Sequence, residues 1–156
     1  MNAIFEPCQL QGNVMAPPSK SMAHRYLIGA ALSKKSCTLS GIDYSEDNLA
    51  TIDCLKALGA EITVNQDTVT VCPERFMETE HPVLECRESG STLRFFIPLA
   101  LCLGKEVTLK GSTRLLERPL DVYEALCIEN NFAFHKIIRI NAYFVIVHEN
   151  LRSQCL

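Results

Sequence analysis

The chain has 156 residues, 47% of them hydrophobic and 21% charged, and its formal net charge at pH 7 is −3. This length and composition suffice for a globular core. The negative charge argues against nucleic acid as the main partner, because phosphate backbones bind basic faces. No apolar stretch reaches transmembrane length, and the N-terminal residues carry no secretory signal. We therefore expect a cytoplasmic protein without a membrane partner.

The first informative segment is residues 16–25, APPSKSMAHR, which follow a predicted short strand over Gly12–Ala16 and precede the apolar helical run Tyr26–Leu32. The prolines stiffen the entry and the serines can cap the helix. A helix start exposes unpaired N–H groups and a partial positive charge, so it favours an anion. Lys20 and Arg25 add cations there. This segment alone leaves a plain surface helix equally open.

The next elements are a predicted strand over Cys37–Gly41 and an amphipathic helix over Asp47–Leu58, which begins at a Ser45 cap. A hairpin follows, with alternating strands Glu61–Val64 and Thr68–Val71 on either side of a polar turn. The helix carries apolar residues at helical spacing: Leu49, Ile52, Leu55 and Leu58.

Residues 86–94, CRESGSTLR, repeat the arrangement of the first segment between a predicted strand, Val83–Cys86, and the apolar run Phe95–Leu103. Gly90 lets the backbone approach a ligand closely. The hydroxyl groups of this segment can cap the helix or donate hydrogen bonds: Ser89, Ser91 and Thr92. A second basic helix start strengthens the prediction of an anion site.

The chain repeats itself beyond these two segments. Cys37–Gly41 resembles Val107–Gly111, and a second amphipathic segment, Pro119–Ile128, precedes predicted strands Phe132–His135 and Tyr143–Val147. Each unit therefore has the order strand, helix, strand, helix, strand, strand. The pattern predicts a duplicated α/β module, with units of about residues 12–72 and 83–147.

Three motifs resemble one family in the same order: Pro18-Ser19-Lys20-Ser21-x-x-x-Arg25, Glu88-Ser89-Gly90-Ser91-Thr92-Leu93-Arg94-Phe95 and Glu117-Arg118-Pro119-Leu120. The chain is similar, from about Leu10 to Lys136, to the N-terminal half of the EPSP synthase family. That family transfers the enolpyruvyl group of phosphoenolpyruvate to the 5-hydroxyl of shikimate 3-phosphate, in aromatic amino acid biosynthesis. The resemblance implies an inside-out α/β fold of two domains, each built from three βαβαββ units. Residues 1–136 would form part of one domain, and 137–156 a divergent tail.

The resemblance also implies roles for individual residues. Lys20 would contact both substrates, and Ser21 and Arg25 would hold shikimate 3-phosphate. Gly90 and Arg118 would meet phosphoenolpyruvate. Weaker candidates for the same substrate lie in the second motif: Ser91 and Arg94. Fixed cations would take the place of a metal, no cofactor is expected, and the intact enzyme would be a monomer.

The chain departs from the family at two places. Arg87 stands where one form of the second motif has glycine, and we expect a bulky cation there to narrow the turn or disturb anion binding. The tail after Lys136 suggests a truncation or a shifted reading frame. The family's proton-transferring carboxylates would then lie outside this chain.

No catalytic residue is therefore assigned. Glu88 is interpreted as a solvated cap, and Asp47 and Asp53 as solvated charges on a helix. The histidines share no motif and are interpreted as structural or exposed: His24, His81, His135 and His148.

Eight cysteines lack zinc-type spacing, and we expect reduced thiols. Several lie beside apolar core positions: Cys37, Cys54, Cys72 and Cys102. Two other functions stay open at this point. One is the related UDP-N-acetylglucosamine enolpyruvyl transferase, and the other is a non-catalytic anion-binding fragment.

Overall fold

The structure is a computed structural model that describes Ile4, Gln9 and residues 11–137 and 142–146. Helices and strands alternate along the chain as the sequence predicts. In chain order they are α1 (Lys20–Leu32), β1 (Cys37–Ser40), α2 (Glu46–Ala57), β2 (Glu61–Asn65), β3 (Thr68–Cys72), β4 (Val83–Glu85), α3 (Gly90–Leu103), β5 (Val107–Lys110), α4 (Thr113–Leu116), α5 (Asp121–Glu129), β6 (Ala133–Ile137) and β7 (Ala142–Ile146).

The described strands form two sheets, and β1-β3-β2 of the first corresponds in order to β5-β7-β6 of the second. The first is β1-β3-β2, and the second is β4-β5-β7-β6, in which β4 runs parallel to β5. The β1–β3 and β5–β7 pairs are both antiparallel: Cys37 pairs with Val71, and Val107 pairs with Val145. The duplicated α/β arrangement is thus confirmed in the sheets, while the proposed boundaries of the two units remain a prediction.

The predicted strand over Gly12–Ala16 is wrong. These residues form no strand, and Val14 and Met15 are 92% and 93% exposed. The turn that joins β4 to α3 also differs from the segment before α1. It uses a positive φ of 52° at Arg87, and the equivalent position two residues before the α1 cap is Pro17, whose ring holds φ near −65°. No described strand pairs with residues 12–16, so their backbone lacks the neighbour that a strand requires.

The core lies between the helices and the inner faces of the sheets. Helix α2 contacts both α1 and α3, and it buries Ile52 and Leu55 completely. Phe96 and Leu93 of α3 are buried in the same cluster. The predicted periodicity of α2 is confirmed. Because α2 lies between the other two helices, it determines how the starts of α1 and α3 face each other.

Helix α3 continues through Pro98, which lacks the N–H that would bond to the carbonyl of Arg94. The Tyr123 hydroxyl donates to this carbonyl instead, at 3.1 Å. The contact joins α5 to α3 one turn below Gly90. The short helix α4, which the sequence pattern did not predict, is capped by Ser112 and leads into the same region.

Of the cysteines predicted beside core positions, Cys54 is buried, as are Cys86 and Cys127, while the reduced state of the thiols stays a prediction. Cys37 and Cys72 are half-buried thiols, whereas Cys102 is exposed. The prediction that Cys102 lies beside the core is wrong, because it faces outward from α3.

Candidate anion-binding site

Helices α1 and α3 begin in the same way. The Ser19 hydroxyl accepts from the Met22 amide at 3.4 Å, and the Ser89 hydroxyl accepts from the Thr92 amide at 3.2 Å. Both caps have extended backbone, and neither helix has an acidic residue in its first turn. The positive end of each helix dipole is therefore open to an external anion.

Lys20 is held by a carboxylate from the neighbouring helix. Its Nζ donates to Asp47 Oδ2 at 2.5 Å, and the two side chains are 51% and 29% exposed. The hydrogen bond from Lys20 lowers the pKa of Asp47, and one from Ser89 acts in the same direction. An ammonium group has three donors, so Lys20 keeps donors for a ligand while Asp47 orients it.

Arg25 is fixed one turn further along α1. Its guanidinium donates to the Ser21 carbonyl and to Ser21 Oγ, both at 2.7 Å. The group also lies over the Phe95 ring, 5.1 Å from its centroid, within the range of a cation–π interaction. The ring belongs to α3, so Arg25 joins the two helix starts.

Two further guanidinium groups meet at Gly90. A Cβ at this glycine would overlap Arg118 Nη1 and would lie 3.1 Å from Arg94 Nη1. Arg94 also donates to the Pro119 carbonyl at 3.4 Å, which holds it beside the α4–α5 turn. Two cations placed at a helix start repel the dipole and each other, and an anion between them removes that repulsion.

Within the part of the chain that the structure describes, Arg25, Arg94 and Arg118 have no carboxylate within 4.0 Å. The predicted residues fall into two neighbouring groups. On α1 these are Lys20, Ser21 and Arg25, and around the start of α3 they are Gly90, Ser91, Arg94 and Arg118. Gly90 is buried and Arg94 is half-buried, and the other five residues are exposed.

The profile of the EPSP synthase (3-phosphoshikimate 1-carboxyvinyltransferase) family matches residues 5–127. The chain belongs to the EPSP synthase family. It is 42% identical over 132 residues to the 3-phosphoshikimate 1-carboxyvinyltransferase of Clostridium perfringens (strain SM101 / Type A), covering 84% of this chain and 31% of that protein. The counterpart in Clostridium kluyveri is 44% identical over 119 residues, covering 76% and 28%.

Solved structures show the same fold. EPSP synthase from Acinetobacter baumannii superposes with a TM-score of 0.75 at 19% identity, over 88% of this chain and 32% of that one. The predicted family and the enolpyruvyl transferase fold are confirmed. The chain spans less than a third of the length of these curated relatives.

Asp47 and Asp53, interpreted as solvated charges, are both paired with cations, although 45% of the Asp53 side chain stays exposed. Asp47 holds Lys20, and Asp53 accepts from Arg87 Nη2 at 2.7 Å. Both partners are far from the carboxylates in sequence, so helix periodicity gave no signal for them.

The Arg87 side chain is directed toward α2. Its guanidinium pairs with Glu46 and Asp53 on α2, and the hydrogen bond to Asp53 raises the pKa of Arg87. Its carbonyl accepts from the Ser112 amide at 2.8 Å. The left-handed φ explains why glycine suits the position. The side chain extends to α2, and the turn before Gly90 keeps its Ser89 cap. The expected disturbance of anion binding stays a prediction.

The remaining candidates for a functional role are Glu88 and the histidines. Glu88 is exposed, as the cap interpretation expects, and so are His81 and His135, whereas His24 is buried; His148 lies outside the described residues. Among residues 11–137 and 142–146, no group of three His, Cys, Asp or Glu side chains is placed to hold a metal. In the same part of the chain, no helix is long and apolar enough to span a membrane.

Proposed function

We propose that this chain supplies one half of the substrate site of a 3-phosphoshikimate 1-carboxyvinyltransferase. The reaction joins the enolpyruvyl group of phosphoenolpyruvate to the 5-hydroxyl of shikimate 3-phosphate and releases phosphate. The observation that carries the proposal is the meeting of Arg94 and Arg118 at Gly90, where the described residues offer these cations no carboxylate. Such a position suits the phosphate or carboxylate of phosphoenolpyruvate.

The second substrate would lie against α1. Ser21 and Arg25 are exposed and already bonded to each other, so little side-chain entropy is lost when they hold the phosphate of shikimate 3-phosphate. Lys20 stands at the start of the same helix and would contact both substrates. Ser91 and Arg94 are secondary contacts for phosphoenolpyruvate.

The proposal includes the setting of the intact enzyme. It would be a cytoplasmic monomer acting on two small anionic substrates, without a metal or cofactor, and without nucleic acid or membrane partners. The net charge of −3 supports the part that concerns nucleic acid. The names of the curated relatives favour this reaction over UDP-N-acetylglucosamine enolpyruvyl transfer.

Calorimetric titration of the chain with each substrate tests the assignment. Arg118→Ala should weaken phosphoenolpyruvate binding by about ten- to 150-fold, since a charge-assisted hydrogen bond contributes about 1.5–3 kcal/mol. Arg114→Ala is a matched control, because Arg114 is exposed on α4 four positions earlier. Equal affinities for the two variants would refute the role of Arg118. Binding of simple phosphate as tightly as either substrate would favour a non-catalytic anion-binding fragment.

A further inference from the structure

A buried chain of polar side chains lies beneath the site and runs from α1 to the start of α3. His24 Nδ1 is 2.7 Å from Thr51 Oγ1, which is 2.8 Å from Thr92 Oγ1. The Thr92 hydroxyl donates to Ser89 Oγ at 2.7 Å. All four side chains belong to residues that are at most 1% exposed. This series of hydrogen-bonded side chains connects α1, α2 and α3 through a buried region that water does not reach.

The direction of these hydrogen bonds follows from counting protons. Besides Ser89 Oγ, the Thr92 hydroxyl faces the Asp47 carbonyl at 3.3 Å, and a carbonyl can only accept. Thr92 therefore uses its one proton on that side and must accept from Thr51. Thr51 has then used its own proton, so it must accept from His24. The ring nitrogen that faces Thr51 is the protonated one.

The other ring nitrogen points to the same tautomer. Within the described residues, His24 Nε2 is buried without a hydrogen-bond partner. A buried N–H without an acceptor is more costly than a bare lone pair in the same place. Burial also lowers the pKa of His24, with Lys20 and Arg25 acting in the same direction and Asp47 against it. The ring is thus neutral, with its proton on Nδ1.

We propose that His24 is a positioning residue, whose Nδ1–H starts a one-way hydrogen-bond relay through Thr51 and Thr92 to Ser89 and so orients the two helix starts. The end of the relay also meets Asp47, because the Thr92 hydroxyl faces its backbone carbonyl at 3.3 Å, and the carboxylate of the same residue holds Lys20.

The centroid of the His24 ring also lies 6.2 Å from that of the Phe95 ring, over which the Arg25 guanidinium lies. Its orientation therefore affects both groups of binding residues. The effect on ligand affinity rests on the proposed function, whereas the tautomer does not.

Nitrogen-15 NMR of the histidines in the 156-residue chain tests the relay directly. We expect the His24 signals of an Nδ1–H tautomer, unchanged from about pH 7.5 to about pH 6. Exposed His81 and His135 give reference signals in the same spectrum. An Nε2–H tautomer, or a charged ring in that range, would overturn the proposal whether or not the chain binds substrate.

Two variants of His24 separate positioning from mere packing. His24→Asn keeps a donor near the place of Nδ1, whereas His24→Leu fills the space without one. With inorganic phosphate and shikimate 3-phosphate as probes, the asparagine variant should bind within about twofold of the unmodified chain and the leucine variant about tenfold more weakly. Thr51→Val breaks the relay while His24 stays, and should match the leucine variant.

The amide signals of Ser89 and Gly90 give a readout that does not depend on ligand. They should move in the His24→Leu and Thr51→Val variants and return in His24→Asn. If a folded His24→Leu chain keeps both its affinity and these amide positions, the relay has no positioning role. If the unmodified chain binds neither probe, the proposed function fails, and the tautomer and amide signals still decide on the relay.

Discussion

Replacing Gly90 by alanine perturbs the site at a single point. Gly90 is the first residue of α3 and has helical backbone, so alanine itself fits there and stabilises the helix by up to about 1 kcal/mol. The added Cβ would overlap Arg118 Nη1 and would lie 3.1 Å from Arg94 Nη1. Since guanidinium groups end flexible side chains, Arg118 moves away and the fold is kept.

The magnitude follows from the contact that is lost. If Arg118 donates to a phosphoenolpyruvate oxygen, its displacement removes a charge-assisted hydrogen bond of about 1.5–3 kcal/mol. Affinity then falls about ten- to 150-fold, at about 1.4 kcal/mol for each factor of ten. Binding of shikimate 3-phosphate through Ser21 and Arg25 should change less, because those residues lie on α1.

Calorimetry with phosphoenolpyruvate checks this, with Gly29→Ala as the control. Gly29 lies on α1, and a Cβ there meets no atom within 4 Å. The double variant Gly90→Ala with Arg118→Ala should bind no more weakly than Arg118→Ala alone, because both changes remove the same contact. Full affinity in Gly90→Ala, or additive losses in the double variant, would refute the reasoning.

Four other outcomes are expected. Burial lowers the pKa of His24 below its ordinary 6.5, so the imidazole of the unfolded chain is protonated first as pH falls. The free energy of unfolding should therefore decrease as pH drops through 6.5. Denaturant melts at several pH values should show a smaller decrease in the His24→Asn variant. A second loss of stability should follow below pH 3.8, the ordinary pKa of Asp47, because the hydrogen bond from Lys20 lowers the pKa of this carboxyl in the folded chain. Arg87→Gly relieves a left-handed φ but loses exposed pairs with Glu46 and Asp53, so melting should shift stability by less than about 1 kcal/mol, and Arg87→Ala should be the less stable of the two. Finally, a phosphate-release assay with both substrates should show no turnover by residues 1–156, because domain closure normally completes such sites; sustained release would place the chemistry within this chain.

Local features of the fold could be predicted because their causes are local. Ser19 and Ser89 cap helices three residues ahead of the amides they bind, and the Glu61–Asn65 and Thr68–Cys72 strands meet across a two-residue turn. The strand predicted over Gly12–Ala16 failed because a strand needs a neighbour, and the preceding sequence pattern carries no information on whether one is there.

Sequence patterns were enough to indicate the family, the alternation of helices and strands, and the basic residues beside two helix starts. Long-range packing sets the contacts of Asp47 with Lys20, of Arg118 with Gly90 and of His24 with Thr51. Each of these contacts links side chains far apart in the chain. Their partners depend on how α2 packs between α1 and α3, which no periodicity within a single helix specifies.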